Sequence, residues 1–392
     1  MKDVVKTGWE TRPLGEVCKL INGRAYKKPE LLEEGPYPVL RVGNFFTNNH
    51  WYYSDLELDE DKYCDDGDLL YAWSASFGPR IWTGGKVIYH YHIWKVVPSE
   101  MIDRDFLYYF FDWDKELIKK EQGAGTTMIH VSKGSMEARA IPHPSLEEQQ
   151  RIVAFLDEAF ESLVRARAHA EANLQNARDL LSLTFENELL KYRDGSIQST
   201  IGEVCTGFEY GTSSKSQPEG KMPVLRMGNL QSGEIDWSDL VYTDSIADIE
   251  KLTLKEGDVL FNRTNSLEHV GKSAIYRGDM PAIFAGYLIR VHYDRSNMLP
   301  EFLNMFLNSK SAREYGRSIS GKSVNQANIS ASKLKTYPIV LPSVEVQEKI
   351  VMKIESLRGP LKDLEATYKV KTQDIDDLRQ SLLQKAFAGE LT

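Results

Sequence analysis

Pro144-Ser145-Leu146-Glu147-Glu148-Gln149-Gln150-Arg151-Ile152-Val153 is answered later in the same chain by Pro342-Ser343-Val344-Glu345-Val346-Gln347-Glu348-Lys349-Ile350-Val351. Each stretch opens a long helical periodicity. Ser145 with Glu148 three residues on predicts a capping box after Pro144. From Leu146 to Leu190 there is no Gly or Pro. Ile152, Phe155, Leu156, Ala159, Phe160, Leu163, Ala170, Leu174, Ala177, Leu181, Phe185 and Leu189 recur at about every 3.5 residues, the spacing of a seam for another helix. Gly195 is expected to stop it. The second copy runs from Ser343 to Phe387 through Ile350, Ile354, Leu357, Leu361, Leu364, Tyr368, Ile375, Leu378 and Leu382. Gly359-Pro360 is expected to kink or break it. Two matched seams should pair with each other. At 1.5 Å per residue each helix is roughly 65 Å long, a spacer rather than a lid on one core.

The duplication extends outward from these helices. Leu14-Gly15-Glu16-Val17-Cys18 returns as Ile201-Gly202-Glu203-Val204-Cys205, and Pro38-Val39-Leu40-Arg41-Val42-Gly43-Asn44 as Pro223-Val224-Leu225-Arg226-Met227-Gly228-Asn229. Gly67-Asp68-Leu69-Leu70-Tyr71 returns as Gly257-Asp258-Val259-Leu260-Phe261. The segments 8–145 and 196–340 therefore share one mixed architecture. Strand-like runs are predicted at Tyr37–Arg41, Asp68–Trp73 and Lys86–Tyr91, and again at Val224–Met227, Asp258–Asn262 and Leu288–Val291. Helical patches follow at Arg104–Lys120 and Pro300–Tyr315, then loops at Gly123–Thr127 and Gly321–Asn325. Arg41 and Arg226 occupy matched positions, which favours a shared structural role.

The chain has 392 residues, 42% hydrophobic and 27% charged, a globular composition with room for two or three domains. No apolar run is long enough to span a bilayer, and the first residues lack the apolar centre of a signal peptide. Three cysteines make no disulfide framework. Cys18 and Cys205 read as buried small hydrophobes of a cytoplasmic protein. A net charge of -9 argues mildly against nucleic acid. Much of the acid lies between Asp55 and Asp68, however, and the segment 196–340 is balanced.

Reaction chemistry is hard to find. Gly316–Ser323 has the spacing of a phosphate loop, but a helix-like run precedes it where a strand is required. His90 and His92, two apart on one face of an expected strand, lack further ligands of metal spacing. Binding chemistry is plentiful instead. Loops mix amides, hydroxyls, cations and rings, the groups that hold phosphates and read base edges. Repeat position and loop chemistry select Arg24, Tyr26, Lys27, Lys28, Ser74, Ser76, Arg80, Thr126, Thr127 and His130 in the first copy. In the second they select Ser213, Ser214, Lys215, Asn262, Arg263, Asn265, Lys322, Ser323, Asn325 and Gln326. For each one a solvated turn is the competing reading. The aromatics Trp51, Tyr52 and Tyr53 read as core.

With these motifs in this order, the chain resembles the specificity subunit of a Type I restriction-modification system. The terminal run Leu378–Leu391 is equally typical. The resemblance implies two α/β (mixed α+β) target recognition domains, 1–145 and 196–341. They are separated by two long antiparallel helices, 146–195 and 342–392, which form a coiled coil with a pseudo-twofold. Each domain would read one half of a split double-stranded DNA site. The helices would fix the unread gap and dock two methyltransferase subunits, and two motor-nuclease subunits would join for restriction. S-adenosylmethionine would belong to the methyltransferase subunits, with no cofactor and no metal in this chain. The competing readings are a paired-helix scaffold without a DNA role and a nucleotide-binding protein built on Gly316–Ser323.

Overall fold

Both long periodicities form helices in the computed structural model. A central helix spans Leu146–Lys191 and a C-terminal helix spans Val344–Ala388. The structure describes residues 8–46, 49–74, 77–121, 130–323 and 326–391, with the backbone alone at 322 and 323. The contacts divide the chain into two units, Met1–His169 with Lys371–Thr392, and Ala170–Val370.

In the first unit, Cys18–Asn22, Ile93–Pro98, Leu69–Ala72 and Gly78–Ile81 form an antiparallel sheet in that spatial order. A second, mixed sheet orders Tyr52–Ser54, Tyr37–Leu40, Val87–Tyr89 and Tyr63–Cys64. Its central pair is parallel, with Val39 opposite Ile88. The helix Arg104–Glu121 covers the first sheet. Its Phe106, Phe110 and Phe111 join Tyr71, Trp94 and Val96 in one buried cluster. Ile152, Leu156 and Phe160 of the central helix enter the same cluster, as do Leu383, Ala386 and Phe387 of the C-terminal helix.

The second unit repeats the plan. Cys205–Tyr210, Leu288–Tyr293, Val259–Asn262 and Ser273–Ile275 make the antiparallel sheet. Val241–Thr243, Met222–Leu225 and Ile283–Phe284 make the mixed one, with Val224 parallel to Ile283. Phe302 takes the place of Phe106, and it packs on Phe185 of the central helix at 5.4 Å as Phe106 packs on Phe387 at 5.2 Å. All the strands read from the sequence are present. Strands such as Cys18–Asn22, Ile93–Pro98, Cys205–Tyr210 and Ser273–Ile275 escaped that reading, as did two ribbons: Glu10–Pro13 pairs with Ala140–His143, and Ile197–Thr200 with Pro338–Leu341. Each ties the entry of its recognition segment to the strand that feeds a long helix.

The two long helices run antiparallel within each unit. In the first, Arg379 lies 4.5 Å over the Phe160 ring and Arg167 pairs with Asp376. In the second, Arg178 approaches Glu365 at 3.8 Å and Lys353 pairs with Glu188 at 2.5 Å. The buried stripe is narrower than the periodicity predicts: Phe155, Leu364 and Leu378 face outward, because two helices cover only one stripe of each other.

Three local expectations are corrected. Gly359-Pro360 does not break the C-terminal helix. Pro360 cannot donate to the Ser356 carbonyl, but Ile354 and Leu361 are buried on either side and hold the helix through the lost bond. The patch Pro300–Tyr315 is two helices, Pro300–Asn308 and Lys310–Ile319, parted at Ser309. Ser309 has extended dihedrals, and its side chain accepts from Ala312 N as the cap of the second helix. Gly195 closes a turn after the central helix has already ended at Lys191.

A buried glutamine joins each recognition segment to its helix. Gln149 and Gln347 are both 0% exposed. Gln149 Oε1 accepts from Asp103 N at 2.8 Å, while Nε2 donates to the carbonyls of Pro144 at 2.9 Å and Met101 at 3.3 Å. Gln347 Oε1 accepts from Leu299 N at 2.9 Å, and Nε2 donates to Pro342 O at 2.9 Å and Asn297 O at 2.8 Å. Leucine fits the volume but strands one donor and two acceptors out of water. Gln149→Leu and Gln347→Leu should each cost about 3 kcal/mol, read as a lower urea midpoint.

Candidate nucleic-acid interface

The same turn launches the strand that reaches each site. Gly67 and Gly257 adopt φ of 88° and 85°, a conformation that favours glycine. The next residue closes the turn: Asp68 Oδ2 accepts from Asp65 N at 2.8 Å, and Asp258 Oδ2 from Lys255 N at 3.0 Å. The same carboxylates pair with a cation on the neighbouring strand, Lys95 at 2.7 Å and Arg290 at 2.9 Å. The far ends of these strands emerge at Trp73-Ser74 and Arg263-Thr264. Trp73 N donates to His92 O at 3.0 Å, and Arg263 N to Tyr287 O at 3.0 Å. Val131 N then bonds Trp73 O, and Ile329 N bonds Arg263 O. A third segment passes alongside at Gly23-Arg24 and Gly211-Thr212. A Cβ on Gly23 would stand 2.2 Å from Tyr89 O, and one on Gly211 would stand 2.2 Å from Phe284 O. Only glycine permits that approach.

One scaffold thus presents two different surfaces. In the first copy Trp73 is central. It stacks on Trp94 at 5.7 Å and meets His92 at 4.9 Å, His130 at 5.2 Å and Tyr91 at 5.9 Å edge-on. Ser74 is buried with its Oγ 3.3 Å from His130 Nε2. Arg24 grips Glu30 with two bonds, at 2.7 and 3.0 Å, and lies 5.3 Å over the Tyr26 ring. The Arg24 bonds, with Lys27 N, hold the Glu30 carboxyl down at about 2. Burial pushes the Tyr26 phenol up. Lys27 and Lys28 are exposed beside this ring cluster.

In the second copy the centre is cationic. Arg263 Nη2 donates to Asn328 Oδ1 at 3.2 Å, Nη1 reaches Gly286 O at 3.4 Å, and the guanidinium lies 5.0 Å over Tyr210. Asn328 Nδ2 in turn donates to Thr264 Oγ1 at 2.9 Å. Tyr287 is exposed beside them. Asn262 is fully buried, and its Oδ1 accepts from Thr264 N at 3.3 Å. Its Nδ2 has no hydrogen-bond partner. Ser214 Oγ and Thr212 Oγ1 both donate to Asp248, whose carboxyl is lowered by those bonds. Ser213 and Lys215 are exposed next to them. Asn265 Oδ1 accepts from Ser266 N at 2.8 Å, and exposed Gln326 begins the strand that pairs with Thr264-Asn265. Lys322 and Ser323 lie in the strand beyond it, opposite Ala327 and Gln326.

The structure therefore gathers Arg24, Tyr26, Ser74 and His130 around one cluster, and Asn262, Arg263, Asn265 and Gln326 around the other. Arg80 lies elsewhere. It donates to the Phe45 carbonyl and lines a recess with Tyr108, Tyr109 and Asp157. Ser76, Thr126, Thr127 and Asn325 lie outside the described residues. Trp73, Tyr91, His92, Tyr210, Tyr287 and Asn328 were not selected from the sequence. The usable signal was the Trp73/Arg263 mismatch at the end of matched strands.

His90 and His92 are not on one strand face, because they flank Tyr91 in the turn between Val87–Tyr89 and Ile93–Pro98. Among the described residues no group of His, Cys, Asp and Glu is placed to hold a metal. Gly316 of the phosphate-loop spacing sits inside a helix, where a Cβ would stand 2.1 Å from Tyr337 Oη, and a strand follows. That order cannot cradle phosphate. Burial pushes the Cys18 and Cys205 thiols up to about 12, as inert core groups require. Arg41 and Arg226 each precede a helical turn but differ in partner: Arg41 lies over the Tyr52 ring, and Arg226 pairs with Asp239 at 2.9 Å. Trp51, Tyr52 and Tyr53 are half-buried, with Trp51 and Tyr52 packed against the edges of buried clusters.

The ring cluster has a pH signature. Burial first, then His92 and Arg41, holds the His90 imidazole down at about 4 against an ordinary 6.5. A depressed histidine binds its proton in the unfolded chain before the folded one. Stability should therefore fall as pH drops from 6.5 towards 4. Melting temperatures between about pH 7 and about pH 5 should decline less steeply in His90→Gln than in the wild type.

Comparison with known proteins agrees with this duplicated plan. Residues 6–172 and 195–371 match the family model for the Type I restriction modification DNA specificity domain. The EcoKI specificity subunit of Escherichia coli K12 is 26% identical, over 98% of this chain and 89% of its own length. The Escherichia coli EcoBI specificity subunit is 22% identical over 99% and 87%. A solved chain described for complex assembly and conformational transition of the type I R-M system superimposes with a TM-score of 0.73. It covers 99% of both chains at 18% identity and shares the fold. With both halves matched and the fold repeated twice, the chain belongs to the Type I restriction-modification DNA specificity subunit family.

Proposed function

We propose that this chain is the DNA-reading subunit of a Type I restriction-modification complex, with each copy of the scaffold reading one half of a bipartite, asymmetric site. The observation that carries this is the contrast at matched strand ends. The backbone bonds at the strand ends are repeated, yet one copy presents Trp73 among histidines and the other presents Arg263 with Asn328 and Tyr210. A reader of two unlike half-sites needs the same fold and different side chains. Arg263 suits guanine and Asn328 suits adenine, whereas the rings and imidazoles offer apolar faces and both donors and acceptors. Recognition domains at 1–145 and 196–341 would carry these surfaces, and the helices at 146–195 and 342–392 would fix the unread gap.

The helices also suit a docking role. Val164, Leu180, Leu183, Leu190, Met352 and Val370 are exposed apolar residues on them, available to two methyltransferase subunits. Those subunits would bind S-adenosylmethionine and flip and methylate adenine, and two motor-nuclease subunits would join for restriction. The chain itself contributes recognition, not reaction. Its net charge of -9 then places much of the phosphate neutralisation on its partners. The seating of the described residues of Gly316–Ser323 in a helix and a strand leaves the nucleotide-binding reading unsupported.

Co-expression with the methyltransferase subunit and genome-wide mapping of methyladenine tests the reading. A split motif is expected, and the absence of any bipartite pattern would favour the scaffold reading. Arg263→Ala should relax one half-site only, costing about 1–3 kcal/mol of discrimination at the affected base pair. Shortening both long helices by matched whole turns should change the gap and leave the two half-sites as they were.

A further inference from the structure

A recess of about 510 Å³ in the second unit is lined by Arg178, Lys272, Arg313, Arg358 and Lys369 against a single carboxylate, Glu365. In a chain of net charge -9 this concentration of cations is local. Arg178 approaches Glu365, and Arg358 pairs with Glu355 at 2.7 Å. Neither Lys272 nor Arg313 is in an ion pair of the described residues; the Glu268 carboxylate acts on both only from beyond salt-bridge distance. Lys272 has only a neutral partner, Gln231 Oε1 at 3.4 Å. Arg313 donates one Nη to the Glu268 carbonyl at 2.7 Å, while its buried Nε has no partner. Burial lowers both groups first; repulsion from Arg313 adds to this at Lys272 and repulsion from Arg317 at Arg313, while the Glu268 carboxylate opposes both shifts.

The first unit shows how the fold handles cations when it neutralises them itself. Asp112 and Asn308 occupy the same helix position, counted from the residues whose backbone N–H the buried glutamines hold, Asp103 and Leu299. Asp112 is buried and accepts from Lys115 and from Arg379 of the C-terminal helix, both at 2.5 Å. Asn308 is neutral. Its amide is taken up by Ser273 and Asn304, so it offers the neighbouring cations no charge. The second unit lacks that internal counter-ion at Asn308 and carries cations around a cavity.

We propose that this recess binds a phosphate group. Converging guanidinium and ammonium groups with amide walls match phosphate oxygens. The phosphate has two available sources: a free phosphate or pyrophosphate, or the backbone of DNA bound to the second recognition domain. The second source has a structural route. The Arg313–Glu268 bond anchors the recess to the segment that follows the interface strand Thr264-Asn265.

The test uses the full chain with its methyltransferase subunit. Pyrophosphate binding is measured by calorimetry at constant ionic strength, and binding of a duplex carrying the mapped site is measured across a salt series. Two variants are compared with wild type: Lys272→Gln/Arg313→Gln, and Arg178→Gln/Lys369→Gln. The second pair lines the recess but is exposed, which keeps the test valid if the first pair unfolds. Pyrophosphate affinity reduced about 10-fold or more in a folded variant supports a free ligand. A salt slope smaller by about one to two, with no pyrophosphate binding, supports a DNA phosphate. If neither measurement separates a folded variant from wild type, the proposal is overturned. Failure of the half-site reading would instead appear as loss of the bipartite methylation pattern in the wild type itself.

Discussion

The buried glutamine is the constraint on which each half of this protein depends. Gln149 and Gln347 sit one turn into the long helices, where backbone groups of the feeding strand, the helix start and the loop before the domain helix would otherwise be stranded together. One amide side chain satisfies three of them. It needs a donor and an acceptor on the same planar group, which glutamine and asparagine alone supply, and the reach is that of glutamine. Around it Phe106 meets Phe387, and Phe302 meets Phe185. The helix is thus locked to its recognition segment by a polar clamp inside an apolar cluster. Burying such a group without partners would be costly, so the clamp specifies one angle of attachment.

The frame and the reading surface follow different rules. The frame is made of backbone bonds, glycine turns and paired charges that recur in both copies, such as Asp68 with Lys95 and Asp258 with Arg290. The reading surface is made of side chains placed at the end of that frame, and these differ in kind. An aromatic and imidazole cluster faces one ligand, while a guanidinium bracketed by amide and phenol faces the other. Both rest on the same three backbone segments, so changing the side chains need not disturb the sheet beneath.

Charge is distributed by the same logic. The acidic run from Asp55 to Asp66 is exposed on the first copy, and Asp68 turns inward to a lysine. Arg290 is buried between Glu209 and Asp258, which makes it part of the frame and unavailable to a ligand. Lys272 and Arg313, two cations in no ion pair of the described residues, line one recess. A net charge alone would have hidden that.

The sequence by itself determined the duplication, the start of each long helix, the strands Leu69–Ala72 and Val259–Asn262, and the membership that follows from their order. These are local properties: periodicity, capping residues and glycine turns are written in neighbouring positions. It also pointed at Ser74, His130, Asn262 and Arg263. It misjudged Gly359-Pro360 and Ser309, where burial on either side and a single cap decided the outcome. Tertiary structure alone decided that Trp73 would meet His92 and His130, that Arg263 would meet Tyr210 and Asn328, and that Arg80 would serve the Phe45 carbonyl. Those partners lie tens of residues apart and are joined by strand pairing. No spacing in the chain encodes which distant backbone atoms will share a hydrogen bond.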